Sequence, residues 1–382
     1  RPRILQTPYY PHCSPDALNG FGEIYKKQVD ASGVIPQITA IFGTCGGGLA
    51  VVPTLTDFTF MEEKKAKLFV NSPNAIDGNE ISRCDTSSAA FQSEEAGIVD
   101  VTAAEADILA QIRELVSMLP ANNEDNTAFE ECADDLNRVC EGLENCAGDT
   151  AIALSQISDN GVFFETKRNY AKDMVTGFIK LNGATVGAVA NRTEVYGEEG
   201  TVTDKFDEVL SVRGCEKAAD FITFCDAFDI PVLSLTNVKG FASAKCSEKR
   251  MAKAVARLTY AFANATVPKV NVITRKAYGS AYVAMNSKAV GADITIAWPD
   301  AEIGTMDAKL AAKIICDGQG SEAIDACAKE YARLQTSAQS AAGRGYVDQI
   351  VSPEDTRKYV IGAFEMLYTK HEDRPAKKHG TV

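Results

Sequence analysis

Residues 34–50, VIPQITAIFGTCGGGLA, align without a gap with residues 266–282, TVPKVNVITRKAYGSAY. Pro36 meets Pro268, Ile38 meets Val270, Ile41 meets Ile273 and Gly47 meets Gly279. Each copy is a proline-led apolar run of strand length, then small residues where a helix begins. A recurrence this far apart in the chain is a repeat of a whole domain and predicts one fold used twice in tandem. Length allows it: 382 residues at 45% hydrophobic content supply two domains, each with its own core.

The glycines Gly46, Gly47 and Gly48 have two readings. They let a strand turn sharply into a helix, or they leave bare N–H groups at a helix start as donors to a negative oxygen. Both copies keep small residues there, which favours a pair of anion-binding turns over turn geometry alone.

Composition removes several alternatives. A net charge of −13 opposes nucleic-acid binding, which needs clustered cations to neutralise phosphates. No run approaches the roughly 18 apolar residues of a membrane span. The start, RPRILQTPYY, has no signal-peptide core and no initiator Met, so the chain reads as a piece of a longer one. Eleven cysteines without a C-x-x-C pair fit neither a disulfide framework nor a zinc ribbon and suggest a reducing, cytoplasmic setting. The histidines, His12, His371 and His379, lie only near the ends, which argues against a Ser-His-Asp or Cys-His hydrolase. Cys45 beside the glycines reads as a small buried thiol, since no His is there to activate it. No metal-ligand spacing is present.

The segment from Glu124 to Asp159 holds ten acids against the single base Arg138. Leu136, Val139, Cys140 and Leu143 recur at helical spacing, which predicts an amphipathic helix with a solvated acidic face. The segment reads as an interdomain connection with the boundary at residue 147, giving halves 1–147 and 148–382. Beyond it, GFIKLNGATVGAVAN predicts a hairpin turning on Asn182-Gly183. CEKAADFITFCDAFD (apolar face Ala218, Phe221, Ile222, Cys225), IPVLSLTNV, KRMAKAVARLTYAFANA, PKVNVIT and ADITIAWP then alternate helix and strand. Such alternation predicts a mainly parallel sheet covered by helices, an α/β fold.

SGVIPQITAIFGTCGGGLAVVPTLTDFTFM resembles the N-half signature of the biotin-dependent acyl-CoA carboxyltransferases. EKAADFITFCDAFDIPVLSLTNVKGF, TVPKVNVITRKAYGSAYVAM, GADITIAWPDAEIG and the terminal KKHG resemble their C-half. The likeness runs from about Ala17 to Gly380 and is nearest to the propionyl-CoA carboxylase beta and methylmalonyl-CoA decarboxylase alpha types. RPRILQTPYYPHCSP matches nothing in it, and the family's longer N-terminal half is not matched at its start. The resemblance implies two tandem crotonase-like domains, the first incomplete: an acyl-CoA half and a biotin half. It also implies a homodimer assembled further into a hexamer, with the site between the N-half of one subunit and the C-half of another.

The family's chemistry needs two oxyanion holes. Carboxybiotin gives up its carboxyl group, the ureido nitrogen takes a proton from the acyl-CoA α-carbon, and the enolate attacks the carboxyl carbon. Charge builds on the thioester oxygen and on the biotin urea oxygen. Carried over, the resemblance places the first hole on Gly47 and Gly48 and the second on Ser280 and Ala281. The internal alignment instead pairs Gly47-Gly48 with Gly279-Ser280, one residue earlier.

Relatives often have Gly at Ser280, Asp or Ile at Val283 and Pro at Lys239. Val283 shapes the acyl pocket or packs one helix turn, and Arg275 and Lys276 face a CoA phosphate or a backbone carbonyl. Lys239 reads as a loop charge. The chain has no biotinyl-lysine A-M-K-M motif and no ATP-grasp domain. Biotin therefore comes on a separate biotin carboxyl carrier protein, with a biotin carboxylase or a membrane decarboxylase subunit as further partner. Two other classes compete: a non-catalytic assembly subunit, and a crotonase-type hydratase or hydrolase, which would need carboxylates beside Gly47-Gly48.

Overall fold

What the sequence repeats in its letters, the computed structural model repeats in its strand pairing. It describes residues 15–125, 129, 131–197, 199–377 and 380; the first fourteen residues, His12 among them, and His379 lie outside the described residues. The first unit, Arg1–Asp125, has a helix α1 (Pro15–Ala31) and strands β1 (Ile38–Ile41), β2 (Thr44–Gly46), β3 (Phe58–Glu62), β4 (Lys67–Phe69) and β5 (Val101–Ala103). β1 runs parallel to β3, from Ile38 opposite Phe58 to Ile41 opposite Met61, and β3 pairs in turn with β5. β2 continues the line of β1 but pairs with β4, parallel, up to Gly46 opposite Phe69. Ile41, Cys45, Met61, Leu68 and Val99 form the core beneath.

The second unit is Asn126–Val382. It contains α2 (Thr150–Ile157), β6 (Phe163–Thr166), β7 (Met174–Leu181), β8 (Ala184–Asn191), α3 (Val212–Ala227), β9 (Val232–Val238) and α4 (Met251–Asn264). After these come β10 (Lys269–Tyr278), α5 (Gly279–Ala284), β11 (Ile294–Ala297), β12 (Glu302–Gly304), β13 (Gln349–Ile350) and α6 (Thr356–Met366). The sheet order is β13-β11-β10-β9-β8-β7-β6, with β12 on the far part of β10. Val270 to Ile273 of β10 pair with Ile294 to Ala297 of β11, and Lys276 to Tyr278 pair with β12. The first four are the repeat partners of Ile38–Ile41, and the last three are those of Thr44–Gly46. Both copies therefore shift from one parallel neighbour to another just before the turn. β10 also pairs with β9 on its other side, whereas β1 has no second partner among the described residues.

The runs read as buried strands are buried. Every residue of β7 and of β9 is buried, as a sheet with both faces covered requires. Ala218, Phe221, Ile222 and Cys225 of α3 are buried as their spacing predicts. Asn182 and Gly183 take φ of 50° and 79° between Leu181 and Ala184, which face each other across the β7–β8 ladder. Positive φ at both central residues matches the twist of the strands, and Asp159 accepts from both backbone N–H groups, at 3.2 and 2.7 Å. Gly183→Ala should cost about 1–2 kcal/mol by forcing a Cβ into the left-handed region. A lower urea midpoint at unchanged slope would report it.

The acidic segment differs from its sequence reading. Residues 131–142 form turns and irregular chain, and helix begins only at Leu143. Leu136 and Val139 are exposed, so no apolar stripe exists to drive a helix. The side chains are committed elsewhere. Asp134 accepts from Arg138 and from the Asn160 N–H, both at 3.0 Å, while Arg138 donates to the carbonyls of Gln156 and Ser158. Nor are the acids all solvated: Asp159 meets the fully buried Arg357 at 2.7 Å, and Asp149 meets the buried Arg192 at 2.9 Å. The compact division falls at Asp125, and Cys140, Leu143 and Ala147 share a core with Leu154, Ile157, Val175 and Leu235.

Candidate active site

The three glycines of the first turn are there for three different reasons. A Cβ on Gly46 would lie 2.7 Å from the Phe69 ring, so that position is closed by packing. Gly47 has φ of +64° with open space where a side chain would be. A Cβ on Gly48 would lie 3.2 Å from the Tyr25 hydroxyl and 3.7 Å from Phe21, both on α1. Tyr25 donates its hydroxyl hydrogen to the Gly48 carbonyl. Gly47–Ala50 is a short 3-10 helix, whose first N–H groups, those of Gly47 and Gly48, have no intrahelical acceptor. The Cys45 thiol is buried and donates to the Leu49 carbonyl at 3.4 Å, and burial pushes its pKa up, away from thiolate chemistry.

The second turn has the same build. Tyr278 caps α5 with φ −112° and ψ 136°, as Gly46 caps the first turn with φ −126° and ψ 158°. Gly279 then takes φ +57° against +64° at Gly47. The backbone thus fixes the repeat register: Gly47 corresponds to Gly279, Gly48 to Ser280 and Leu49 to Ala281. A Cβ on Gly279 would stand 3.2 Å from the Thr305 carbonyl, so a left-handed turn and a close approach both demand glycine. The N–H groups of Gly279, Ser280 and Ala281 open α5 without intrahelical acceptors. Ser280 is exposed, whereas Ala281 is buried.

Around this turn, Lys276 pairs with Glu208 at 2.7 Å, and Lys239 stands 3.9 Å from the same carboxylate. Arg275 is exposed. Val283 is 42% exposed, so it does not serve as core packing within the chain. Tyr278 donates to Glu302. Burial first, then that carboxylate, hold its hydroxyl far above the ordinary range, and burial pushes Tyr282 up to about 12. Both tyrosines therefore stay protonated. His371 is exposed and pairs with Asp373 at 3.2 Å. Sequence reasoning missed Tyr25, Glu208, Glu302 and Thr305, which reach the turns from distant segments and leave no local spacing to read. Among the described residues no group of three His, Cys, Asp or Glu side chains could hold a metal ion.

A tandem crotonase-like α/β chain with two glycine-opened helix starts defines the class of enzyme. Residues 14–382 match the carboxyl transferase domain model, and the chain belongs to that family. It is 38% identical to the propionyl-CoA carboxylase carboxyltransferase subunit of Haloferax mediterranei over 388 residues, covering 96% of this chain and 72% of the relative. It is 37% identical to the methylmalonyl-CoA decarboxylase alpha subunit of Propionigenium modestum over 385 residues, with the same coverage of each. Among solved structures, the 12S transcarboxylase hexamer with hydrolysed methylmalonyl-CoA bound is similar, with a TM-score of 0.87 and 35% identity. That likeness covers 96% of this chain and 72% of the other.

Proposed function

We propose that the protein transfers a carboxyl group between carboxybiotin, presented on a separate carrier chain, and the α-carbon of a short acyl-CoA. The observation that carries this reading is the duplicated turn: the same strand shift, cap geometry and positive-φ glycine precede a helix start at Gly47 and at Gly279. In the proposed chemistry the carboxyl group leaves N1 of biotin, and that nitrogen takes the α-proton of the acyl-CoA. The enolate so formed attacks the carboxyl carbon. Gly47 and Gly48 hold the thioester oxygen as it gains charge, and Ser280 and Ala281, with Gly279 in the same turn, hold the urea oxygen. Among the described residues, Tyr25, Phe21, Phe69 and the Cys45 thiol stand against the first turn. A phenol, two phenyl rings and a thiol whose pKa burial raises fit a reaction in which biotin itself moves the proton.

The propionyl- and methylmalonyl-CoA named for the relatives suggest a three- or four-carbon acyl group here. A biotin carboxyl carrier protein, with a biotin carboxylase or a membrane decarboxylase subunit, would complete the cycle, and the hexamer named for the 12S transcarboxylase suggests the assembly. The free thiols of the described cysteines support a cytoplasmic location. The reading is tested by measuring propionyl-CoA formation from methylmalonyl-CoA against the concentration of free biotin. The rate should rise and saturate with biotin. A rate independent of biotin would overturn the proposal.

Val283 carries the proposed acyl selectivity. It stands exposed one helical turn beyond Gly279, where its methyl groups limit the volume beside the reacting carbon. A difference of one methylene in such a pocket is worth about 1–3 kcal/mol. Val283→Asp should therefore change the ratio of kcat/KM between acetyl- and propionyl-CoA by about tenfold or more, with kcat for the better substrate little altered. An unchanged ratio would remove Val283 from the acyl pocket.

A further inference from the structure

Beneath α5 lies a polar cluster that the packing of the sheet does not require. Ser234, Thr236, Asn271 and Asn286 are each fully buried. The Ser234 hydroxyl donates to Asn271 Oδ1 at 3.0 Å, Thr236 donates to the same oxygen at 2.8 Å, and Asn286 Nδ2 donates to Ser234 Oγ at 2.9 Å. Asn286 follows the cap of α5 with φ of +52°, a conformation asparagine tolerates better than most side chains. The opposite face of β9, with Leu233 and Leu235, packs in an apolar core. On the α5 side, Asn271 Nδ2 and Asn286 Oδ1 are buried without hydrogen-bond partners, which costs stability that an apolar filling would not.

The cluster sits where β10 leaves its regular ladder. Thr236 pairs with Ile273 and Val238 with Ala277, so Asn237 alone faces three residues of β10. The Asn237 side chain accepts the Lys276 N–H at 3.2 Å, and Thr274 donates to the Thr236 carbonyl at 3.2 Å. Polar side chains thus replace ladder bonds at the kink that leads into Gly279. The same network holds the far end of α5 through Asn286, and the Thr236 hydroxyl lies 3.5 Å from the Met285 carbonyl. The C-terminal end of α5 is thus held by directional bonds, and the strand that leads into its start is held by Asn237 and Thr274.

We propose that Ser234, Asn271 and Asn286 are positioning residues that aim the N–H groups at the start of α5. The inference rests on the reading of that turn as the holder of the biotin oxygen. Small displacements of a preorganised donor lower rate strongly while leaving remote substrate contacts intact. Ser234→Ala and Asn286→Gly, the second compatible with the positive φ, would be compared with the unaltered full chain and with Ser280→Pro. The assay uses methylmalonyl-CoA with free biotin, alongside thermal melting. Both network variants should lose about tenfold or more in kcat, with the KM for methylmalonyl-CoA within about twofold. A lower melting temperature at unchanged kcat would make the cluster merely structural and overturn the proposal. Should Asn286→Gly fail to assemble, Ser234→Ala decides by the same criterion. Loss of activity in Ser280→Pro with full kcat in Ser234→Ala overturns this inference alone. Full kcat in both overturns the reading of that turn as well.

Discussion

Gly48→Pro should lower kcat for carboxyl transfer by about a hundredfold or more, the cost of deleting one preorganised oxyanion donor. Proline removes the N–H, and its fixed φ suits a helix start. Its ring also restricts the preceding Gly47, at φ +64°, so native assembly is checked beside turnover. Gly48→Ala is the matched control, because it keeps the N–H and brings its Cβ to 3.2 Å from the far end of the Tyr25 side chain, which can yield. A developing enolate is held more tightly than the ground-state thioester, so the loss belongs to kcat and only weakly to the KM for acyl-CoA. Turnover equal to that of the alanine control, in protein with the native assembly, would remove this turn from the chemistry.

Ser280→Pro should have a comparable effect on the biotin side, again about a hundredfold in kcat, and should raise the KM for free biotin more than that for acyl-CoA. The position is chosen over Ala281 because the Ala281 side chain is buried. A bulky residue there would test packing before chemistry. Ser280 is exposed, follows Gly279 at φ +57° and corresponds to Gly48 in the repeat, so the two proline variants make the same backbone change in the two turns. Ser280→Gly keeps the N–H, removes only the hydroxyl and should stay near full activity. If Ser280→Pro instead impairs acyl-CoA binding, the two oxygens are assigned to the wrong turns.

Much of this was legible in the letters. Buried parallel strands need continuous apolar runs, so β9, β10 and β11 announce themselves, and Asn182-Gly183 specifies its turn through the φ it tolerates. The repeat was legible because strand, turn and helix start recur together, and the paired ladders at Ile38–Ile41 and Val270–Ile273 follow it residue for residue. Helical spacing misled at Leu136, Val139 and Cys140. There Arg138 donates to the Gln156 and Ser158 carbonyls, and Asp134 meets Arg357 and the Asn160 N–H, and periodicity cannot see tertiary contacts that compete with a helix. The same limit hid Tyr25 above Gly48 and the Ser234–Asn271–Asn286 cluster beneath α5. Glycines reveal where a backbone must be bare, but the groups that aim it come from remote segments.

The measurement that bears most directly on the account follows the carboxyl carbon itself. Methylmalonyl-CoA labelled in its free carboxyl group would be mixed with the protein and unlabelled free biotin. The account predicts that label passes into acid-labile carboxybiotin while propionyl-CoA forms in equal amount. Label that stays with the thioester, or hydrolysis to free CoA with no carboxybiotin formed, would contradict it.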